Sequence, residues 1–181
     1  MFSLYQFLLD IFVTAYTPGP NNIMSLSNAV RYGFKKSFPF NLGILAGFSV
    51  VMLFCTLLSA LIFSYIQQAK IYMQVLGAFY MFYLAWKTWK SSSEIELEET
   101  KGASFISGLS LQFINPKIYI YAVTAMSTFI LPHFDSTATL VGFALFLAFV
   151  GFTGTVAWSA FGSTFQKILT NYSNIVNLIL A

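Results

Sequence analysis

The sequence predicts an all-α polytopic membrane protein, and three observations carry that prediction. Only 8% of the 181 residues are charged and 57% are apolar, whereas roughly a quarter of a typical soluble domain is charged. The few charges bound long uncharged runs at 11–30, 37–69, 71–86, 102–116, 118–134, 136–166 and 168–181. Those runs are continuously apolar with no alternation of period two, which disfavours a membrane β-barrel. Nine basic and six acidic residues are too few to solvate a globular surface of this size. A soluble enzyme, a nucleic-acid module and a disordered chain are thereby excluded. The single cysteine, Cys55, has no partner for an internal disulfide or for dithiol chemistry.

A helical span needs about 20 mostly apolar residues to cross ~30 Å of hydrocarbon. On that measure spans fall near 4–29, 40–63, 71–89, 104–130 and 138–162, with a sixth opening near 171. The first span has no basic n-region and no small-residue cleavage site before it, so it reads as an uncleaved helix and not a signal peptide. The second carries Gly43 and Gly47, a GxxxG pair for close helix packing or for a homodimer contact. Trp86 and Trp89 at the end of the third span, and Tyr65 after the second, read as interface anchors. The two runs flanking Lys117 read as one fourth span interrupted by a lysine. The fifth holds Gly151 and Gly154, again small residues for packing. From 172 to 181 there are ten residues, too few to cross a bilayer, so the sixth helix is expected to be incomplete in this chain.

The basic residues alternate between connections. Arg31, Lys35, Lys36, Lys87, Lys90, Lys101 and Lys167 follow the odd-numbered spans, and only Lys70 follows an even one. By the positive-inside rule this seven-to-one bias places the N-terminus outside. The acidic run Glu94, Glu96, Glu98 and Glu99 then lies in a cytoplasmic linker, about 91–102, that divides the single transmembrane domain 1–181 into halves of about 1–90 and 103–181. Three spans in each half force opposite orientations, the plan of an inverted repeat. Pro20 and Pro116 are 96 residues apart and Lys70 and Lys167 are 97 apart, in agreement with such a repeat.

Each half also carries a break. Thr17-Pro18-Gly19-Pro20-Asn21-Asn22 interrupts span one, and Asn115-Pro116-Lys117 interrupts span four. A proline lacks an N–H and clashes with the preceding turn, so it frees carbonyls inside a helix. In hydrocarbon such breaks are tolerated only against protein or a cavity, and corresponding breaks in two halves mark a transporter's midplane site. Re-satisfaction by neighbouring helices, as in a simple packing kink, is the competing reading. Asn21, Asn22 and Asn115 add donors and acceptors at that depth. Lys117 lies about 13 residues from either end of its span, or ~20 Å of helix, too deep for its side chain to reach the interface. A cation there costs at least ~2.5–3.5 kcal/mol, so it faces a polar interior. It either holds an anionic solute group, relays a proton, or caps carbonyls freed by Pro116 or Pro20. Asp10, early in span one, is either a second coupling group or an interfacial acid without a role. His133 and Asp135 flank Pro132, but two ligands without others nearby make no metal site.

These motifs resemble the lysine exporter (LysE) and homoserine/threonine exporter (RhtB) family of bacterial efflux proteins. Pro18-Gly19-Pro20-Asn21-Asn22, Arg31-Tyr32-Gly33 and Asn115-Pro116-Lys117 carry the resemblance, and length, span pattern and acidic linker match along the whole chain. The Asn21-Asn22 pair is similar to the cysteine and O-acetylserine exporter subgroup, whereas many relatives have an acid where this chain has Asn21. The resemblance implies export of small amino acids or their derivatives across the bacterial inner membrane, driven by the proton-motive force and without a cofactor. Pro18, Gly19, Pro20, Asn21, Asn22, Asn115, Pro116 and Lys117 are then the expected substrate site, with Lys117 and Asp10 as coupling candidates. Lys117 would attract the substrate carboxylate, the three asparagines would bond its polar groups, and Tyr16 or Tyr119 would face the ammonium. A membrane enzyme is excluded, because no nucleophile–base pair, paired core carboxylates or second cysteine exists. A passive channel and a non-transporting scaffold stay open as alternatives.

Overall fold

The structure, a computed structural model, describes residues 2–61, 79 and 103–180. The expected third span, the acidic linker, and Tyr65, Lys70, Trp86, Lys87, Trp89, Lys90 and Lys101 lie outside those residues. Among the described residues all regular structure is helical.

Helix α1 (Leu4–Tyr16) opens at Ser3, whose hydroxyl accepts the Gln6 amide. Pro18 and Pro20 can donate nothing back to α1, so the helix stops, as its prolines predict. The chain runs extended through Gly19 (φ −169°) and restarts as α2 (Pro20–Tyr32). Pro20 occupies the first helical position, where a missing N–H is no loss. Gly33, at φ 78°, ends α2, and α3 (Phe34–Leu61) begins at the next residue. The expected loop between the first two spans is thus a single residue. Lys35 and Lys36 sit in the first turn of α3, because a glycine with positive φ redirects the chain without a Cβ clash.

Helix α4 (Phe105–Ile114) is capped by Ser104, whose hydroxyl accepts the Ser107 amide at 3.1 Å. Asn115 closes α4 and opens α5 (Pro116–Ala125), its side-chain oxygen accepting the Lys117 amide at 3.1 Å. The fourth span is therefore broken where the first is, beside a proline. A π-helical turn, Met126–Ile130, extends α5 before a short turn leads into α6 (Thr137–Leu180). The expected division between a fifth span and a sixth opening near 171 is absent, and α6 runs uninterrupted for 44 residues. No proline or glycine follows Gly162, so nothing local stops the helix there.

Among the described residues two helices are long and apolar enough to cross a membrane, over Phe34–Ser59 and Thr137–Lys167. Helix α3 packs along both α4 and α6, and α2 packs along α6. Glycines set the closest approaches: a Cβ on Gly43 would lie 2.0 Å from the Phe105 carbonyl oxygen, and one on Gly108 2.0 Å from that of Phe40. The Gly43–Gly47 pair is thus used within the chain, against α4. On the other side, a Cβ on Gly154 would come 2.6 Å from the Ala15 oxygen and one on Gly162 2.6 Å from that of Leu26. Helices α1 and α5 lie antiparallel: Phe2 meets His133 at 5.7 Å between ring centroids and Phe7 meets Phe129 at 5.7 Å, while Lys117 reaches Thr17 at the opposite end.

Alongside an apolar core that includes Phe7, Ile11, Phe40, Ile44 and Met52, the interior holds many polar side chains and the surface many large apolar ones. Asn21, Asn22, Ser25, Asn41, Gln112, Asn115, Thr155 and Ser159 are buried, whereas Phe54, Ile106, Ile114, Phe149 and Phe161 are exposed. Large apolar side chains facing outward, with the buried polar groups hydrogen-bonded inside, suit a lipid surround. One buried ring links three helices: Ser25 Oγ donates to Asn41 Oδ1 (2.8 Å), Asn41 Nδ2 to Ser159 Oγ (2.8 Å), and Ser159 Oγ to the Ser25 carbonyl (3.1 Å).

Candidate functional site

The last carbonyls of α1 have no helical amide ahead of them, because the helix ends at Tyr16 and two prolines follow, at 18 and 20. Side chains from three other places supply the missing donors. Asn22 Nδ2 donates to the carbonyls of Ala15 (2.9 Å) and Thr17 (2.8 Å). Trp158 Nε1 on α6 donates to the Tyr16 carbonyl at 3.0 Å. Lys117 Nζ, entering from the second break, donates to the Thr17 carbonyl at 2.8 Å. The capping reading of Lys117 is therefore what its contact shows. A charge-assisted bond to a carbonyl is stronger than a neutral one, roughly twofold, and at this depth the alternative is an unsatisfied dipole.

Gly19 makes the reach of Lys117 feasible. A Cβ there would stand 2.9 Å from Lys117 Cδ and 3.1 Å from Nζ. Its φ is ordinary extended backbone, so packing and not backbone conformation asks for a glycine. Pro18 and Pro20 fix the extended segment on either side, and Pro116 sets the start of α5 so that Lys117 leaves its first turn.

The two breaks are also tied directly. Asn21 Nδ2 donates to Gln112 Oε1 at 2.8 Å, Gln112 Nε2 returns to Asn21 Oδ1 at 3.2 Å, and Asn115 Nδ2 donates to the same oxygen at 2.9 Å. Gln112 further donates to the Gly108 carbonyl at 2.8 Å. Asn21, Asn22 and Asn115 are all buried and engaged with protein groups. Gln112 was not anticipated from sequence, although it is fully buried and is the hub of this network. Its signal was available, as an amide one helical turn before Asn115 in an otherwise apolar stretch.

Beside this junction lies a cavity of about 270 Å³ lined by Asp10, Thr14, Thr17, Lys117, Ile120, Tyr121 and Thr124. Asp10, Thr14 and Thr17 form one stripe of α1, and Lys117, Ile120, Tyr121 and Thr124 form one stripe of α5, by the i, i+3, i+4, i+7 repeat of a helix. Because these helices are antiparallel, Lys117 faces the Thr17 end and Asp10 the Thr124 end. A base and an acid thus line one hollow, with hydroxyls between them. A smaller pocket adjoins Lys117 through Asn22, Phe48 and Gly151. Tyr16 and Tyr119 line neither: Tyr16 Oη donates to Thr153 Oγ1 (3.2 Å) and Tyr119 Oη to the Phe113 carbonyl (3.1 Å). His133 packs its Nδ1 against the Phe129 carbonyl at 3.0 Å, far along the chain from the breaks.

A family model described as LysE type translocator matches residues 12–180. The chain is 39% identical over 170 residues to the cysteine/O-acetylserine efflux protein of Escherichia coli O1:K1 / APEC, covering 93% of this chain and 87% of that protein. Identity and coverage are the same for the cysteine/O-acetylserine efflux proteins of Escherichia coli O157:H7 and of strain K12. No solved structure is significantly similar.

Proposed function

The chain belongs to the LysE type translocator family, and from that premise we propose that it exports small amino acids of the cysteine or O-acetylserine kind across the bacterial inner membrane, coupled to protons. The observation that carries this reading is Lys117, a cation deep in an apolar chain, bonded to the Thr17 carbonyl at the meeting point of two broken helices and lining a cavity with Asp10.

The Lys117–Thr17 contact is an internal stand-in for a zwitterion. An α-amino acid carries a carboxylate beside an ammonium. Its carboxylate takes Lys117 Nζ, and its ammonium takes the Thr17 carbonyl that the lysine releases. Both protein groups exchange one partner for another, so neither is left bare in a medium where an unsatisfied group costs several kcal/mol. Thr14 and Thr124 line the same hollow for a small polar side chain. Asn21, Asn22, Asn115 and Gln112 hold the two breaks at the spacing the exchange needs, and Pro18, Gly19, Pro20 and Pro116 create the breaks. Asp10 and Lys117 are the acid and base on the cavity and carry the coupling proton.

We read 1–90 and 103–181 as inverted repeats about the linker 91–102, with the N-terminus outside. Support comes from the 96-residue offset of the breaks, from their antiparallel meeting through Asn21 and Asn115, and from the seven-to-one bias of basic residues.

The test is amino-acid analysis of the medium around cells overexpressing the chain, beside empty vector and a Lys117→Ala variant. Selective accumulation of cysteine, O-acetylserine or a close relative is expected, lost in Lys117→Ala at equal membrane insertion and lost on collapse of the proton gradient. Near-normal efflux by a well-inserted Lys117→Ala overturns the site. Flux indifferent to gradient collapse identifies a channel.

A further inference from the structure

A second hollow, of about 630 Å³, lies apart from the junction of the breaks. It is lined by the α2–α3 joint, including Tyr32, Lys35 and Lys36, and by one face of α6, including Ser163, Thr164 and Lys167. Three cations converge on it, no acid lines it among the described residues, and no ion pair among those residues engages the three lysines.

The start of α3 and the first charge along α6 fix its depth. The stretch of α3 suited to crossing a membrane begins at Phe34, and the hollow sits at that end, beside the turn of α6 where Ser163, Thr164, Gln166 and Lys167 close the uncharged run from 136. Polar headgroups occupy that level of a bilayer. The neighbouring stripe of α6 holds Phe161 and Phe165, 65% and 49% exposed, one position on from the lining residues Ala160 and Thr164. A basic hollow thus adjoins an outward-facing aromatic wall.

We propose that this hollow binds the phosphate headgroup of an anionic phospholipid, with Lys35, Lys36 and Lys167 on the phosphate and an acyl chain against Phe161 and Phe165. Lysine is a point-charge binder of phosphate, and basic pockets between helices on the cytoplasmic side recognise such headgroups. A free phosphate offers the same charge but makes no use of the aromatic wall, which favours the lipid as its source.

The experiment takes the full chain from membranes containing phosphatidylglycerol into detergent and measures the lipid retained after washing, by native mass spectrometry. The Lys35→Gln/Lys36→Gln/Lys167→Gln variant should retain it about tenfold less well than the parent. Arg31, Lys87, Lys90 and Lys101 remain in that variant to hold its orientation, and unchanged elution on size exclusion verifies its fold. A Phe161→Ser/Phe165→Ser variant, its fold verified in the same way, should also lose retention. Equal retention by the triple variant overturns the proposal. An equal loss from Lys87→Gln/Lys90→Gln overturns it too, since it reveals diffuse attraction and no site. Inorganic phosphate that displaces the lipid completely at millimolar concentration overturns the lipid as the source.

Discussion

At the scale of single residues, one hydrogen atom at position 19 is the space through which Lys117 passes. Gly19→Ala puts a methyl group within 2.9 Å of Lys117 Cδ and is expected to lower efflux about tenfold, near 1.4 kcal/mol of barrier. The same change made in Lys117→Ala should cost little further thermal stability, because the three atoms nearest the methyl, all of Lys117, are then gone; a full penalty there would place the role of Gly19 elsewhere. Replacing Gln112 with Leu removes both its exchange with Asn21 and its bond to Gly108. A loss of about 1–3 kcal/mol is expected for the orphaned amides, read as a lower melting temperature in detergent. Lys117 was legible in the sequence because a charge in mid-span has few physical explanations. Trp158 was not, since a neutral donor carries no such penalty and its partner is a backbone carbonyl that only the folded chain brings near; Gln112 left a weaker trace, an amide one turn before Asn115 whose partner Asn21 lies 91 residues away. The asparagines were found but their contacts were not: sequence shows that a polar group is deep, not whether it faces solute or protein.

Among elements, the breaks were legible and the joints were not. Proline is a local signal, so the interruptions at 17–19 and at Asn115 follow from covalent structure alone. The single-residue joint at Gly33 needed the φ of that glycine, and the continuity of α6 past Lys167 went against an expected division, because a lone charge does not end a helix that no glycine or proline interrupts. The glycines offer a graded test of helix contact. Gly43→Ala and Gly108→Ala force a methyl against backbone oxygens at 2.0 Å and should each destabilise the protein by about 1–3 kcal/mol, as overpacking does. Gly142→Ala meets no atom within 4 Å and should stay within about 0.5 kcal/mol of the parent. Thermal unfolding of the purified protein ranks the three, and an equal cost at 43 and 142 would refute the packing.

For the whole molecule, the structure ties two markers of orientation together. Phe2 packs on His133 and Phe134, so the start of the chain and the turn between α5 and α6 share one end. In a Cys55→Ala background, Ser3→Cys and Ser136→Cys should both react with a membrane-impermeant maleimide applied outside the cell, and Lys36→Cys should not. The reverse pattern would invert the topology, and a split between 3 and 136 would contradict the packing itself. The glycine contacts bear on how such a body moves. Where the backbones of α3 and α4 touch at Gly43 and Gly108, neither helix slides along the other without collision, and Gly154 and Gly162 clamp α6 to α1 and α2 in the same way. Sliding along either seam therefore drives backbone into backbone. In kinematic terms the Lys117–Thr17 bond is a tie across the place where both segments leave their helices.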